Sequence, residues 1–130
     1  MNYMARQINK KIPAGILGAT GMVGRKFISL LKDHPWFEVT VVAASQKSVG
    51  EKLGSLTIYS VEDDLEIIAK KCRLVFSAIE ANKEFIKKIE ESYAKRGIPV
   101  VSNNSAHRWT PDVPMIIPEI NPKHLDIIPI

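Results

Sequence analysis

The sequence predicts an α/β protein: a doubly wound, mostly parallel sheet with helices on both faces. Two observations predict it. Short apolar, β-branched runs alternate with segments of helical period, the pattern of repeated β-α-β units. The first of these runs also leads straight into a glycine-rich turn that opens a helix, Gly18-Ala19-Thr20-Gly21-Met22-Val23-Gly24. Parallel strands need right-handed crossovers, and helices supply them.

Each element follows in order. Ala14-Gly15-Ile16-Leu17 is a short apolar run ending at Gly18, the first strand. From Met22 the period changes, and Val23, Phe27, Leu30 and Leu31 share one helical face. Asp33-His34-Pro35 ends that helix, because proline disfavours helix in the residue before it. Glu38 to Ala44 is β-branched and apolar, a second strand. Ser45 to Ser55 reads as a polar loop, and Leu56 to Tyr59 as a brief third strand. Ser60 is placed to cap the next helix, with Asp63 as a weak capping box and Leu65, Ile68 and Ala69 as the apolar stripe. Arg73 to Ala78 is a fourth strand. Asn82 caps a helix carrying Phe85, Ile86, Ile89 and Tyr93, and Gly97 sits at its end. Ile98 to Val101 is a fifth strand, running into Ser102-Asn103-Asn104-Ser105. Val113 to Ile117 is expected as a sixth strand at an edge, because Pro114 and Pro118 bound it.

Composition bounds the function. The 130 residues suit one domain, with a basic tail expected over 1–11 and the folded domain over 12–130. Hydrophobic residues make up 45% and charged residues 25%, an ordinary globular balance. The apolar runs are strand-length, and the N-terminus carries no apolar signal stretch, so a cytoplasmic, membrane-free protein is expected. Net charge is +4, with acids interspersed among the bases and only 7% aromatics. That favours a solvated surface and an anionic small ligand over nucleic acid. Cys72 is the single cysteine, which excludes an internal disulfide and suits a reducing compartment. His34, His107 and His124 lack ligand spacing, so no metal is expected.

The glycine turn carries the chemistry. Gly18 lets the chain leave the strand sharply, Gly21 removes a Cβ that would block a pyrophosphate, and Gly24 admits close helix packing. The free N–H groups and positive dipole end of the new helix then face the phosphates. This is a Rossmann-like dinucleotide turn and not a P-loop, since Lys26 has no Ser/Thr partner. NAD sites place an acid at the end of the second strand to hold the ribose. Here that end reads Ala44-Ser45-Gln46-Lys47-Ser48, which suits the 2′-phosphate of NADP, with Arg25 adding charge. Ser77-Ala78 and Ser102 to Ser105 close two further strands and are placed to line the nicotinamide half. Arg108 is a candidate anion ligand through its planar fork of donors.

These residues resemble the aspartate-semialdehyde dehydrogenase family, in its archaeal and fungal-type branch. The resemblance rests on Gly18 to Gly24, Ala43-Ala44-Ser45, Ser77-Ala78 and Asn103 to Arg108. It closes with Pro111-Asp112-Val113-Pro114 and Pro118-Glu119-Ile120-Asn121, and runs from about Ile12 onward. It implies NADPH-dependent reduction of aspartyl phosphate to aspartate semialdehyde with release of phosphate, on the route to lysine, threonine and methionine. A cysteine thiolate and a histidine act as nucleophile and acid/base in that family. By motif match, Gly18, Thr20, Gly21, Met22 and Val23 hold the pyrophosphate and Ser45 and Ser48 reach the 2′-phosphate. Ala78 and Asn103 lie near the ribose and nicotinamide, and Arg108 binds the displaced phosphate. A homo-oligomer is implied for the full-length enzyme.

Three departures stand out. The family's Asn-Cys segment and histidine, with the catalytic and dimerisation domain, are absent from these 130 residues. Cys72 sits at a helix-to-strand junction and reads as an inert small hydrophobe. The stretch from Gly50 to Leu56 is shorter than the family's, and Glu80 replaces a common proline. The NADP-binding portion is therefore expected to be inactive alone. Malonyl- or succinyl-CoA reductases share the fold, and a non-catalytic NADP-binding module fits the missing nucleophile. N-acetyl-glutamyl-phosphate reductase fits the stretch from Pro111 to Asn121 poorly. A short-chain dehydrogenase would need Tyr-x-x-x-Lys, and Gln7, Asp63 and Gly97 stand four after Tyr3, Tyr59 and Tyr93.

Overall fold

In this computed structural model residues 10–128 are described, so most of the basic tail assigned to 1–11 lies outside them. Six strands form one sheet: β1 (Ile12–Leu17), β2 (Phe37–Ala44), β3 (Lys52–Leu53), β4 (Leu56–Ser60), β5 (Leu74–Ser77) and β6 (Val100–Ser102). Their order is β3-β4-β2-β1-β5-β6. All neighbours are parallel except β3 and β4. Three helices join them: α1 (Met22–Leu31), α2 (Leu65–Lys71) and α3 (Lys83–Lys95).

The helices cover opposite faces, as the doubly wound prediction requires. Ile16, Val42, Ala44 and Ile58 turn to one face, where Phe27, Ile28 and Leu31 of α1 meet them. Leu17, Val41, Ala43 and Val75 turn to the other, against Ile68 of α2 and Ile86, Ile89 and Tyr93 of α3. The α1 face differs from the expected one. Leu30 is 63% exposed, and Gly24 is buried in its place along the inward stripe.

A bulge sets which residues of β2 reach which face. Ala14 pairs with Val39 and Gly15 with Val41, so Thr40 is the extra residue. Val39 and Val42 consequently pack on the α1 side while Val41 faces α2 and α3. The Thr40 hydroxyl is satisfied by donating to the Lys71 carbonyl at 2.6 Å.

Three other expectations change. The predicted loop from Ser45 to Ser55 holds a short 3-10 turn (Gln46–Ser48) and strand β3, which pairs antiparallel with β4. No α-helix crosses between β2 and β4. Val113 to Ile117 is not a strand. Pro114 offers no N–H, and the neighbouring backbone is satisfied by side chains. Met115 N donates to His124 Nδ1 at 3.0 Å, and Ile117 N to Asn121 Oδ1 at 2.6 Å. The Ser60 cap also shifts by one residue. Asp63 N donates to Ser60 Oγ, and Ser60 N to Asp64 Oδ2, so Asp64 rather than Asp63 completes the reciprocal pair. The caps of α3 form as expected: Phe85 N donates to Asn82 Oδ1 at 2.8 Å, and Gly97 has φ +91°.

Candidate functional site

The strand order reverses beside β1. From β1 the chain builds outward through β2 and β4, then returns to place β5 on the other side. Loops leaving β1 and β5 therefore part, opening a crevice beyond the carboxyl ends of the strands. A cleft of about 520 Å³ lies there. The ends of β1, β2, β4 and β5 wall it, through Gly18, Thr20, Gly21, Ser45, Lys47, Ser60 and Glu80 among others.

Sterics fix the glycine turn. Gly18 has φ +82°, and a Cβ there would lie 2.4 Å from the Ala78 carbonyl oxygen. A Cβ on Gly24 would lie 2.0 Å from the Gly18 carbonyl oxygen. Gly24 thus lets α1 fold closely against its own leading turn at the end of β1. A Cβ on Gly21 would project toward the Glu80 carboxylate, 2.7 Å from Oε1.

The start of α1 offers uncapped donors to an anion. Gly21 is its N-cap and has no side chain to cap with, and no acid occupies the first turn. Among the described residues, the backbone N–H groups of Thr20, Met22 and Val23 have no hydrogen-bond partner. These donors fit a pyrophosphate. The Met22 side chain is 83% exposed and does not line the cleft.

At the end of β2 the polar residues divide their work. Gln46 Nε2 donates to Ser60 Oγ at 3.0 Å and to Asp63 Oδ2, so this amide ties β2 to β4. Lys47 and Ser45 are exposed and line the cleft. Ser48 lies one step behind it, its N–H donating to the Ser45 carbonyl. Among the described residues that line the cleft, the cation at this end is Lys47.

The β5 and β6 ends lie alongside. Ala78 is buried against Gly18, and Asn103 N donates to the Ser77 carbonyl at 3.2 Å. Ser77 Oγ is fully buried and lacks a partner among the described residues. Arg108 is exposed on a turn whose N–H returns to the Ser105 carbonyl. Ala78, Asn103 and Arg108 do not wall the cleft. The imidazole of His107 is held structurally, with Nδ1 3.0 Å from Thr110 Oγ1 and Nε2 3.3 Å from the Lys87 carbonyl oxygen.

Cys72 is buried behind Gly15, and its thiol donates to the Ile68 carbonyl. Burial pushes its pKa up, which keeps it neutral. Among the described residues, no cluster of His, Cys, Asp or Glu could hold a metal, and no helix is long and apolar enough to cross a membrane. Sequence reasoning missed Ser60, Ile79, Glu80 and Phe85 as cleft residues. The rule that ligands sit at carboxyl ends of strands points to Ser60 once β4 is placed beside β2.

Residues 13–128 match the semialdehyde dehydrogenase family, NAD binding domain. The chain belongs to this family. It is 42% identical to an aspartate-semialdehyde dehydrogenase of Archaeoglobus fulgidus over 88% of the chain and 36% of that relative. A crystal structure of aspartate semialdehyde dehydrogenase with NADP from Candida albicans superposes with a TM-score of 0.78 at 33% identity. That match covers 90% of this chain and 36% of the other. A more distant relative, a malonyl CoA reductase (NADP) of Metallosphaera sedula, is 32% identical over 93% of the chain and 37% of that protein. The chain thus spans little more than a third of the length of these semialdehyde dehydrogenase relatives.

Proposed function

We propose that this chain is the NADP-binding portion of an aspartate-semialdehyde dehydrogenase, reducing aspartyl phosphate to aspartate semialdehyde with release of phosphate. One observation carries the reading: the uncapped start of α1 faces the switch-point crevice in a chain of this family. The N–H groups around Thr20, Met22 and Val23 hold the pyrophosphate, and Gly18 and Gly21 put no Cβ in its path. Ser45 and Lys47, backed by Ser48, take the 2′-phosphate. Ala78 and Asn103 flank the ribose and nicotinamide, and Arg108 binds the phosphate that leaves. When bound, NADPH supplies the hydride.

The acyl-carrying thiolate is not Cys72, whose thiol is buried and neutral. These 130 residues therefore bind the dinucleotide and turn nothing over by themselves. A cytoplasmic setting and a homo-oligomer of the whole enzyme belong to the same reading. A malonyl- or succinyl-CoA reductase would use the same crevice. The higher identity to the aspartate-semialdehyde enzyme favours the first substrate class.

Thermal melts with NADP and with NAD test the reading. A ligand at a hundred times its Kd stabilises the native state by about 2.7 kcal/mol. NADP is expected to give the larger shift at equal concentration. Equal shifts, or a larger one with NAD, defeat the assignment of the β2 end to the 2′-phosphate. Turnover with aspartate semialdehyde, phosphate and NADP above that of Cys72→Ser would make Cys72 the nucleophile.

A further inference from the structure

Glu90 is a carboxylate where an apolar residue would be cheaper. It lies on the inward face of α3 beside Ile86, Ile89 and Tyr93 and is 4% exposed. A buried carboxylate needs donors, and both that reach it come from the end of β6. Ser102 Oγ donates to Glu90 Oε2 at 2.5 Å, and Asn104 Nδ2 reaches the same oxygen at 3.5 Å. The chain of bonds has a direction. Asn104 N donates to Ser102 Oγ at 2.9 Å, and the hydroxyl in turn donates a hydrogen bond to the carboxylate. Bonds linked this way reinforce one another.

Asn103 stands between the two residues so held. Its N–H donates to the Ser77 carbonyl at 3.2 Å, tying it to the end of β5 beside the crevice. Three anchors therefore fix one peptide segment, and two of them converge on Glu90. Packing alone does not call for this arrangement, since a buried carboxyl group must be compensated by hydrogen bonds that an apolar side chain would not need.

We propose that Glu90 is a positioning residue for the nicotinamide half of the dinucleotide site, holding residues 102–104 so that Asn103 is presented at the β5–β6 rim. This rests on the dinucleotide reading above. Glu90 touches no ligand itself and acts through Ser102 and Asn104.

The experiment separates the two halves of the ligand. NADPH spans the whole site, whereas adenosine 2′,5′-bisphosphate occupies only the adenine side. Affinities of both probes are measured for the unaltered chain, Glu90→Gln and Glu90→Leu, with melting temperatures alongside. Glu90→Leu is expected to weaken NADPH on the order of tenfold, the size of one or two lost hydrogen bonds to a charged group. Its affinity for adenosine 2′,5′-bisphosphate should stay within about twofold, because the β1, β2 and β4 ends are untouched. Glu90→Gln keeps an acceptor for Ser102 and should recover most of the NADPH affinity. Parallel loss of both ligands, or no loss of either, overturns the proposal. If Glu90→Leu does not fold, Ser102→Ala with Glu90→Gln carries the test, with the same selective loss expected of Ser102→Ala. An unaltered chain that binds neither probe overturns the dinucleotide reading itself, a result distinct from unselective variants.

Discussion

Gly18 and Ala78 press backbone against backbone where the strand order reverses: a Cβ on Gly18 would sit 2.4 Å from the Ala78 carbonyl oxygen. Gly18 also has φ +82°, so a side chain there meets both strain and a rigid neighbour. Gly18→Ala should cost about 2–4 kcal/mol of stability, combining left-handed strain with displacement of β5. Gly50 is the control. It has φ +90° but nothing within 4 Å of its added Cβ. Gly50→Ala should cost only about 1 kcal/mol. Chemical denaturation of both variants checks the pair, and equal losses would mean that strain alone, without the Ala78 contact, sets the penalty.

Alkaline pH should unfold the chain through its buried acids. Burial raises the Cys72 thiol and the Tyr93 phenol above their usual values. Tyr93 OH also donates to the Val61 carbonyl at 3.0 Å. Both groups favour the protonated form in the fold. Their contribution is fully present below the unfolded values, about 8.5 and about 10, and falls as pH rises past them. Above those values the unfolded chain binds fewer protons than the native one, so the slope of stability with pH is negative. Melting temperatures from pH 8 to 11 should fall, and Cys72→Ala with Tyr93→Phe should flatten that fall. An unchanged slope in the double variant would place the alkaline sensitivity elsewhere.

On the proposed reading, Lys47 is the cation at the β2 end that separates NADP from NAD. Gln46 spends its amide on Ser60 and Asp63, which leaves Lys47 beside the cleft to meet a phosphate. Lys47→Ala should weaken NADP on the order of tenfold while NAD changes by less than about twofold. The difference should shrink at high salt, as for any exposed charge pair. Titrations with both dinucleotides at two ionic strengths decide it. Equal weakening of NADP and NAD would show that Lys47 grips the shared pyrophosphate.

The sequence made the glycine turn, the buried stripe of α3 and the parallel strands legible, because each rests on local sterics or a short period. Gly18, Gly21 and Gly24 announce close approach, and Phe85, Ile86, Ile89 and Tyr93 announce a buried stripe. Three-dimensional accidents were not legible. Val113 to Ile117 has strand composition, but Asn121 and His124 claim its backbone from six and nine residues away. The Thr40 bulge leaves no local mark, yet it decides which face Val41 and Val42 occupy. Lys52 and Leu53 are too short a pair to announce β3 by pattern. Glu90 reads as one more surface acid until α3 is docked over β6.

Glu80 should oppose the dinucleotide. It stands at the cleft with its carboxylate against Gly21, where the proposed path for a pyrophosphate begins. Among the described residues, the ion pair formed is Arg96 with Glu66, so no cation neutralises Glu80. A pyrophosphate entering here must push the carboxylate aside and then tolerate its charge. Glu80→Gln keeps the shape and removes the repulsion, so it should tighten NADPH binding about threefold at low salt, with less gain at high salt. Gly21→Ala separates charge from space. Its methyl meets only the far end of a flexible side chain, so the fold should survive with a loss below about 1 kcal/mol. The methyl nevertheless fills the pyrophosphate path, and NADPH affinity should drop on the order of a hundredfold. Fluorescence titration of NADPH against both variants reads the two effects. Weaker binding by Glu80→Gln would mean that the carboxylate holds the ligand, through a ribose hydroxyl, instead of opposing it.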